Sequence, residues 1–228
     1  MQNRNVEIQH WGLIDYKRAW ERQESLFQSV IAQKVANRSR EVSDQLPTPN
    51  FLITCEHPHV FTLGKSGSEA NVLIGEKERE QQQVAYYKIN RGGDITYHGP
   101  GQLVCYPILD LDNFFTDIHR YLRYLEEAVI ATIAEYGLEG YRIEGRTGVW
   151  VNDKKICAMG VRTSRWVTMH GLALNVSPDL SYFEKIVPCG ISDKSVTSIL
   201  AESGMKPDLN QVSEKFIRHF ESIFEVRQ

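Results

Sequence analysis

Three segments of the chain repeat apolar residues at the spacing of an amphipathic helix. They cover residues 15–36, 116–136 and 209–224, each with charged or polar side chains between the apolar positions. Gly137 directly follows the second segment, and glycine commonly ends helices because it adopts left-handed backbone angles. We therefore predict three helices, one near each end of the chain and one in the middle.

Short apolar or alternating runs between these helices predict strands. The runs cover residues 51–54, 84–89, 103–109, 148–152, 155–162 and 167–176. Asn152 and Asp153 separate two of them as a hairpin turn would, and Pro107 indicates a sheet edge or a strand end. Strand follows strand in two long stretches, so we predict an α+β chain, or an α/β chain with a mixed sheet.

Length and charge restrict the class of protein. A chain of 228 residues, 42% of them hydrophobic, can bury one core without disulfides. No repeat, low-complexity tract or linker divides it, so we expect a single domain over residues 1–228. The net charge of −3 indicates neither nucleic acid nor an anionic membrane as a partner. We also expect a monomer, because nothing in the sequence demands a subunit interface.

The cysteines and the N-terminus indicate the compartment. Cys55, Cys105, Cys157 and Cys189 form neither a CxxC pair nor a cluster with metal-site spacing, and the two histidines around Pro58 lack a ligating partner. The N-terminus lacks the apolar core of a signal peptide, and no run approaches the ~18 apolar residues of a membrane span. We therefore expect a cytoplasmic protein with reduced thiols and no bound metal.

Cys189 lies between Pro188 and Gly190, in a stretch that otherwise has the composition of a surface turn. Proline restricts the backbone on one side and glycine frees it on the other, so a tight turn would project the thiol outward. A thiol presented in this way is a candidate nucleophile for acyl transfer. A half-buried cysteine that caps a loop is the alternative.

The stretch RGGDITYHGPGQ at residues 91–102 holds four glycines and one proline. So many glycines let the backbone approach a ligand closely, and Arg91, Thr96, His98 and Gln102 add polar groups. The stretch matches neither a Walker loop nor a GxGxxG fingerprint. A pair of hairpin turns with an incidental histidine is the alternative to a binding loop.

Lys154 and Lys155 follow the predicted hairpin turn and begin a strand of small and apolar residues. Since side chains alternate along a strand, we expect one lysine to point outward and the other inward. An inward lysine loses solvation and can serve as a base, whereas two solvated hairpin lysines are the alternative. Small residues also follow His170, which indicates either room for a ligand or a core histidine.

Six blocks of the chain, in this order, resemble the lipoyl(octanoyl) transferases of lipoate biosynthesis. They span roughly residues 50–200 and include the specific string RGGxxTxHxPGQ. The blocks are EHPHVFTLG at 56–64, RGGDITYHGPGQL at 91–103, GRTGVWV at 145–151, KICAMGVR at 155–162, HGLALNV at 170–176 and PCGI at 188–191.

The resemblance implies the fold of the biotin and lipoate protein ligases, a mixed β-sheet flanked by helices. It implies that Cys189 takes an octanoyl group from octanoyl-acyl carrier protein as a thioester. A specific lysine then attacks that thioester, on the lipoyl domains of 2-oxoacid dehydrogenase complexes or on the glycine-cleavage H protein. Lys155 matches the family's lysine that pairs with the cysteine. No cofactor is implied, because transfer from thioester to amide is downhill without ATP.

The resemblance also assigns three segments to substrate binding. Their glycines and alanines would form a slot for a linear acyl chain, and backbone N–H groups would bind the thioester oxyanion. The segments are Arg91, Gly92, Gly93, Asp94, Ile95, Thr96, Tyr97 and His98, then Ala158, Met159 and Gly160, then Gly171, Leu172 and Ala173. Cys157 departs from the alanine or serine that we expect there, and is either a second reactive thiol or a small buried residue.

Two other classes of function remain open. An ATP-dependent lipoate ligase of the same fold would activate the free acid as an acyl-adenylate, but ligases lack an obligatory cysteine nucleophile and carry a different glycine-rich block. A paralogue would move octanoyl groups between lipoyl-domain proteins, or serve as an inert binding module. A covalent octanoyl adduct on Cys189, formed without ATP, would support octanoyl transfer.

Overall fold

The computed structural model describes residues 3–187 and 195–227, and its strands form two sheets. In the described residues the strands are β1 (Glu7–Leu13), β2 (Phe51–Glu56), β3 (Val60–Leu63), β4 (Ala85–Lys88), β5 (Ile95–His98), β6 (Gln102–Ile108), β7 (Val149–Val151), β8 (Lys154–Ser164) and β9 (Val167–Asn175). The helices are α1 (Tyr16–Asn37), α2 (Glu76–Gln81), α3 (Ile118–Ala134), α4 (Ile199–Ser203) and α5 (Leu209–Phe224).

A six-stranded sheet with the order β1-β2-β6-β9-β8-β7 forms the centre of the fold. β1 pairs with β2 in parallel, and the other neighbours are antiparallel. α3 and α5 cover one face, where Phe216 and Phe220 are fully buried. α1 covers the opposite face through Phe27 and Val30. The predicted α+β architecture, a mixed sheet flanked by helices, is confirmed.

A second, three-stranded sheet has the order β4-β3-β5. β3 is parallel to β4 and antiparallel to β5, and Phe61, Ile95 and Tyr97 pack with Phe183 beneath it. Three residues connect β5 to β6, so the second sheet adjoins the first where β6 begins. Within the described residues, no helix has the length and apolar character needed to cross a membrane.

The three predicted helices and the six predicted strands are confirmed, but further elements were not predicted. These are β1, β3, β5, α2 and α4. β3 and β5 have only four residues each, too few to show a period. β1 is a largely exposed edge strand, so its polar residues obscure its alternation. Sequence periodicity therefore identified the long elements and missed the short and exposed ones.

Pro107 lies in an interior strand, so its interpretation as a sheet-edge residue was wrong. β6 is hydrogen-bonded to β2 on one side and to β9 on the other. The alternative interpretation, a strand end, is correct, because the ladder with β9 stops at Cys105. Beyond that point, the carbonyl of Pro107 accepts a 2.8 Å hydrogen bond from the Thr168 hydroxyl. A proline is tolerated there because its missing N–H leaves no ladder bond unmade.

The predicted turn between β7 and β8 is confirmed by its backbone angles. Asn152 and Asp153 have φ of 48° and 61°. Two consecutive left-handed residues are typical of the type I′ turn that matches the twist of a hairpin. This turn places Lys154 and Lys155 as the first two residues of β8.

His57 is a fully buried histidine that joins the helix–sheet junction to β6. Its Nδ1 lies 2.8 Å from the carbonyl of Ile14, and its Nε2 lies 2.6 Å from the hydroxyl of Tyr106. Since a carbonyl only accepts, Nδ1 carries the proton and Nε2 accepts from the tyrosine. Burial lowers the pKa of His57 to about 4, so the ring is neutral in the folded protein at neutral pH.

Acidification should therefore destabilise the fold through His57. The unfolded chain binds a proton near the ordinary pKa of 6.5, whereas the folded chain does so only near pH 4. The contribution of neutral His57 to the free energy of unfolding is complete above pH 6.5 and is lost as the pH falls towards 4. At pH 5 about 2 kcal/mol of it has been lost. Urea unfolding at pH 7.5 and pH 5 measures how much of the free energy of unfolding is lost on acidification. This loss should be about 2 kcal/mol smaller in His57→Gln than in the unchanged protein. An equal loss in both would contradict the assignment.

Gly171 of β9 lies where the backbone of β6 comes closest. A Cβ at this position would stand 2.1 Å from the carbonyl oxygen of Cys105 and 2.8 Å from Cδ of Pro107. Backbone atoms of a central strand cannot move aside, so only glycine permits this spacing.

We expect Gly171→Ala to destabilise the protein by about 3 kcal/mol, or to prevent folding, because of this overlap. Gly75→Ala is the matched control: a Cβ there meets nothing within 4 Å, and the φ of −74° suits alanine. Its effect should stay within about 0.5 kcal/mol. Thermal unfolding of both variants checks the contrast, and similar melting temperatures would show that the β6–β9 spacing is not tight.

Candidate active site

A cavity of about 450 Å³ opens beside the central sheet. Its walls come from β5, β6, β8 and β9, from residues 91–94 and 145–147, and from Tyr16 at the start of α1. Elements from both sheets, two loop segments and the start of α1 thus converge on one space. Such a concave, mostly apolar space with a few polar groups is the usual form of a small-molecule site.

Small residues in two adjacent strands form the floor of the cavity. Ala158 pairs with Ala173, and Gly160 pairs with Gly171, across β8 and β9. All four residues line the cavity, as does Val104 of β6, which pairs with Ala173. A row of side chains this short leaves an apolar trough above the sheet. The trough suits a linear aliphatic chain.

The glycine-rich segment lies directly against the floor strands. The N–H of Gly92 donates a 3.0 Å hydrogen bond to the carbonyl of Val161. A Cβ on Gly160 would stand 2.8 Å from the oxygen of Gly92, and one on Gly64 would stand 2.3 Å from the oxygen of Gly93. The predicted close backbone approach at residues 92–93 is therefore present. The first turn of this segment forms a wall of the cavity and is not a surface hairpin.

Arg91 is a buried guanidinium that ties the glycine-rich segment to the second sheet. It is 8% exposed. Nη2 donates to the carbonyl of Thr62 at 2.7 Å and to its hydroxyl at 3.0 Å, and Nη1 donates to the carbonyl of Gly92 at 3.0 Å. A buried cation needs such acceptors to replace its lost water. The charge of Arg91 also lowers the pKa of the nearby histidines His98 and His170, although burial is the larger cause.

His98 belongs to a chain of buried side chains across the central sheet. Its Nδ1 lies 3.1 Å from Oε1 of Gln102, whose Nε2 donates to Oδ1 of Asn175 at 2.9 Å. Nδ2 of Asn175 in turn donates to the carbonyl of Thr197 at 2.9 Å. Burial, followed by the charges of nearby groups, holds the pKa of His98 well below its usual value. The ring is therefore neutral.

Lys155 lines the cavity, whereas Lys154 does not. Nζ of Lys155 lies 4.9 Å from the ring centroid of Trp150, and its backbone N–H and C=O pair with Ser195 and Thr197 at 3.0 Å each. Lys154 has a half-exposed side chain, and its Nζ lies 3.2 Å from Oε1 of Glu202. The predicted alternation of the two lysines is confirmed.

Most of the residues that the resemblance assigned to the substrate are brought together. The members that line the cavity are Arg91, Gly92, Gly93, Asp94, Ile95, Thr96, His98, Ala158, Met159, Gly160, Gly171, Leu172 and Ala173. Tyr97 is the exception. It faces the other side of β5, where its hydroxyl lies 2.8 Å from Nδ1 of His59 and its ring stacks on Tyr182 with centroids 5.0 Å apart.

Several cavity residues were not singled out from the sequence as substrate-binding. Tyr16, Tyr106, Trp150 and Asn175 line the cavity. A signal existed for Asn175, because it shares the strand face of Gly171 and Ala173 at a spacing of two. No comparable signal existed for Tyr16, which reaches the site only because α1 packs on that face of the sheet.

Cys189 and its neighbours from residue 188 to residue 194 lie outside the described residues. The last described residue before them, Val187, donates its N–H to the carbonyl of Asn71 at 2.9 Å. The first one after them, Ser195, pairs with the backbone of Lys155 at 3.0 Å. The chain that follows Cys189 therefore returns beside the cavity lysine.

The other three cysteines are buried, and burial raises the pKa of each thiol. Cys157 is 1% exposed, so its interpretation as a small buried residue is confirmed. In the ranges that the structure describes, no group of three His, Cys, Asp or Glu residues is arranged to hold a metal ion.

Comparison with known proteins agrees with this geometry. The family model of the lipoyl protein ligase A/B catalytic domain matches residues 15–221. An octanoyltransferase of Flavobacterium johnsoniae is 58% identical over 229 residues, covering 98% of each chain. An octanoyltransferase of Cytophaga hutchinsonii is 56% identical over 230 residues, covering 98% of this chain and 94% of the relative.

Solved structures with a similar fold are protein ligases. A bi-partite lipoate protein ligase from Thermoplasma acidophilum matches with a TM-score of 0.71 at 16% identity, covering 98% of this chain and 85% of the other. A lipoate-protein ligase A bound with ATP matches with a TM-score of 0.70 at 16% identity, covering 99% of this chain and 86% of the other. A biotin protein ligase from Aquifex aeolicus matches with a TM-score of 0.52 at 13% identity, covering 97% of this chain and 70% of the other. At these identities the likeness concerns the fold alone. The family-model match and the relatives at 56–58% identity show that the chain belongs to the lipoyl protein ligase A/B catalytic domain family, within the group of octanoyltransferases.

Proposed function

We propose that this acyltransferase moves an octanoyl group from octanoyl-acyl carrier protein to a lysine of a lipoyl-domain protein, through a thioester on Cys189. One observation carries the proposal: Lys155 borders an apolar trough, and its backbone pairs with the residues that follow the Cys189 segment. Its relatives at 56–58% identity are octanoyltransferases, which supports octanoyl transfer as the reaction. The family match over residues 15–221 supports one catalytic domain.

The first half-reaction exchanges one thioester for another. Sγ of Cys189 attacks the carbonyl carbon of the donor, a new C–S bond forms, and the bond to the carrier's sulfur breaks. The proton that leaves Cys189 ends on the departing thiol. Lys155 supports this step in one of two ways: as an ammonium it stabilises the thiolate, and as a neutral amine it accepts the thiol proton.

The second half-reaction forms an amide. The neutral amine of the acceptor lysine attacks the octanoyl-Cys189 carbonyl, the C–N bond forms, and the C–S bond breaks. One proton leaves the nitrogen and returns to Cys189. The free energy released on converting a thioester to an amide drives the step, so no nucleotide enters the balance.

The dimensions of the trough support an eight-carbon chain. From Lys155 to Val161, β8 rises about 20 Å at roughly 3.3 Å per residue. An extended octanoyl chain of seven C–C bonds, each about 1.5 Å, spans at most about 10 Å. A chain that begins beside Lys155 therefore reaches about three residues along β8, to the small side chain of Ala158 in the floor. The glycine-cleavage H protein and the lipoyl domains of 2-oxoacid dehydrogenases are the acceptors that we propose.

Mixing the protein with octanoyl-acyl carrier protein, without ATP, should give a covalent octanoyl adduct on Cys189. Intact-protein and peptide mass spectrometry measure it directly. Cys189→Ser should fold normally and form no adduct, because a serine hydroxyl ionises far above the ~8.5 of a thiol. Octanoyl transfer at the unchanged rate in this variant would refute the nucleophile, and adduct formation only with ATP and free octanoate would instead indicate a ligase.

Lys155→Ala should slow acylation of Cys189 by about 100-fold, the range expected for a group that handles the thiol proton. Lys154→Ala is the matched control and should change the rate by less than about twofold, because the side chain of Lys154 is 45% exposed and does not line the cavity. The rate of Cys189 alkylation against pH should shift in the first variant alone. Equal damage from both substitutions would point to general electrostatics rather than a specific pair.

A further inference from the structure

The chain of hydrogen bonds from His98 to Thr197 has a direction that its last acceptor fixes. The carbonyl of Thr197 only accepts, so Asn175 presents Nδ2 to it and Oδ1 to Gln102. Gln102 therefore donates from Nε2, which also reaches the carbonyl of Tyr97 at 3.1 Å, and presents Oε1 to His98. An amide oxygen has no proton, so Nδ1 of His98 must donate.

This arrangement leaves Nε2 of His98 as a lone-pair acceptor. His98 lines the cavity, and no residue in the described ranges hydrogen-bonds to its Nε2. The ring is held in place by Tyr16, stacked with centroids 5.8 Å apart, and by His57, edge-on at 5.8 Å. The acceptor therefore has both a fixed tautomer and a fixed orientation.

The groups that face His98 preserve this state. Burial is the main reason that a second proton on the ring is disfavoured, and His57, Arg91 and His170 act in the same direction. The hydrogen bond to Gln102 favours the proton but has a smaller effect. The pKa of His98 is therefore held well below its ordinary value, and Nε2 remains an acceptor at neutral pH. An acceptor inside an apolar cavity needs a donor from the bound molecule to replace lost water.

The same chain connects His98 with the lysine side of the cavity. Thr197, its last member, donates its backbone N–H to the carbonyl of Lys155 at 3.0 Å. Asn175 and Gln102 are direct partners on β9 and β6. His98, Asn175 and Lys155 all line the same cavity, so His98 faces the reaction space.

In the second half-reaction the nucleophile that reaches the carbonyl carbon is itself an N–H donor. We propose that Nε2 of His98 accepts the hydrogen bond of the attacking lysine amine when the octanoyl thioester on Cys189 is converted to an amide. This inference rests on the proposed function and adds a residue to it. Nε2 stays unprotonated and orients the lone pair of the amine towards the carbonyl carbon. As the C–N bond forms and the C–S bond breaks, one amine proton passes to the sulfur of Cys189. Gln102 and Asn175 are positioning residues that hold the tautomer.

Two substitutions of His98 separate its two nitrogens. In His98→Asn the side-chain amide can replace Nδ1 as donor to Gln102, but the acceptor is lost. In His98→Gln the longer side chain can place its amide oxygen near the position of Nε2. His119→Gln is the matched control, because His119 is an exposed histidine on α3, away from the cavity lining.

The experiment follows each half-reaction by quenched mass spectrometry of the full chain. Octanoyl-acyl carrier protein loads the enzyme, the donor is removed, and a lipoyl domain is added. We expect His98→Asn to slow transfer to the lysine at least tenfold more than it slows loading. His98→Gln should recover part of the transfer rate, and His119→Gln should match the unchanged protein in both steps.

The outcomes distinguish this inference from the proposal on which it rests. Normal transfer by His98→Asn would overturn the role of Nε2, as would equal slowing of loading and transfer, which would indicate a structural role. Failure of the unchanged protein to form an octanoyl adduct would remove the proposed function, and the inference with it. A loaded His98→Asn enzyme that retains its octanoyl group in the presence of the lipoyl domain is the supporting result.

Discussion

The desolvated guanidinium of Arg91 is the interaction on which the site depends. Its hydrogen bonds to Thr62 and to Gly92 join the second sheet to the glycine-rich segment. A cation buried to this extent is stable only while several oxygens surround it. Moving the glycine-rich segment away would therefore cost a large amount of free energy. The same charge helps to keep His98 and His170 neutral. One residue thus sets both the wall of the cavity and the protonation of its histidines.

The cavity exists because backbone replaces side chains at a few positions. Gly160 meets the oxygen of Gly92, and Gly171 meets that of Cys105, at distances that no Cβ allows. These contacts bring a loop and three strands together, and the short side chains of the neighbouring alanines leave space above the sheet. A dense interior normally leaves no room for a ligand. Here the backbone contacts at Gly160 and Gly171 hold the surrounding segments in place, and the trough remains open beside them.

Backbone carbonyl groups set the donor and acceptor directions of the buried side-chain hydrogen bonds in this apolar region. Thr197 and Tyr97 accept from Asn175 and Gln102, and this fixes which atom of each amide faces the next residue. The histidine at the end of the chain therefore has one tautomer. Because all members are buried, rearrangement would leave donors or acceptors unpaired, which is more costly inside a protein than in water. The reacting groups of the proposed mechanism lie around this rigid network.

The sequence alone determined the long helices, six of the strands, the hairpin before Lys154, and the blocks that predict the family. These features depend on local periodicity, on turn residues and on short strings, which are all readable along the chain. It did not determine that Pro107 lies in an interior strand, that Tyr97 faces away from the cavity, or that Tyr16 and Asn175 line it. Those facts depend on which strands pair and which face α1 covers. Pairing joins residues far apart in the sequence, such as Gln102 with Asn175, so only the tertiary structure decides them.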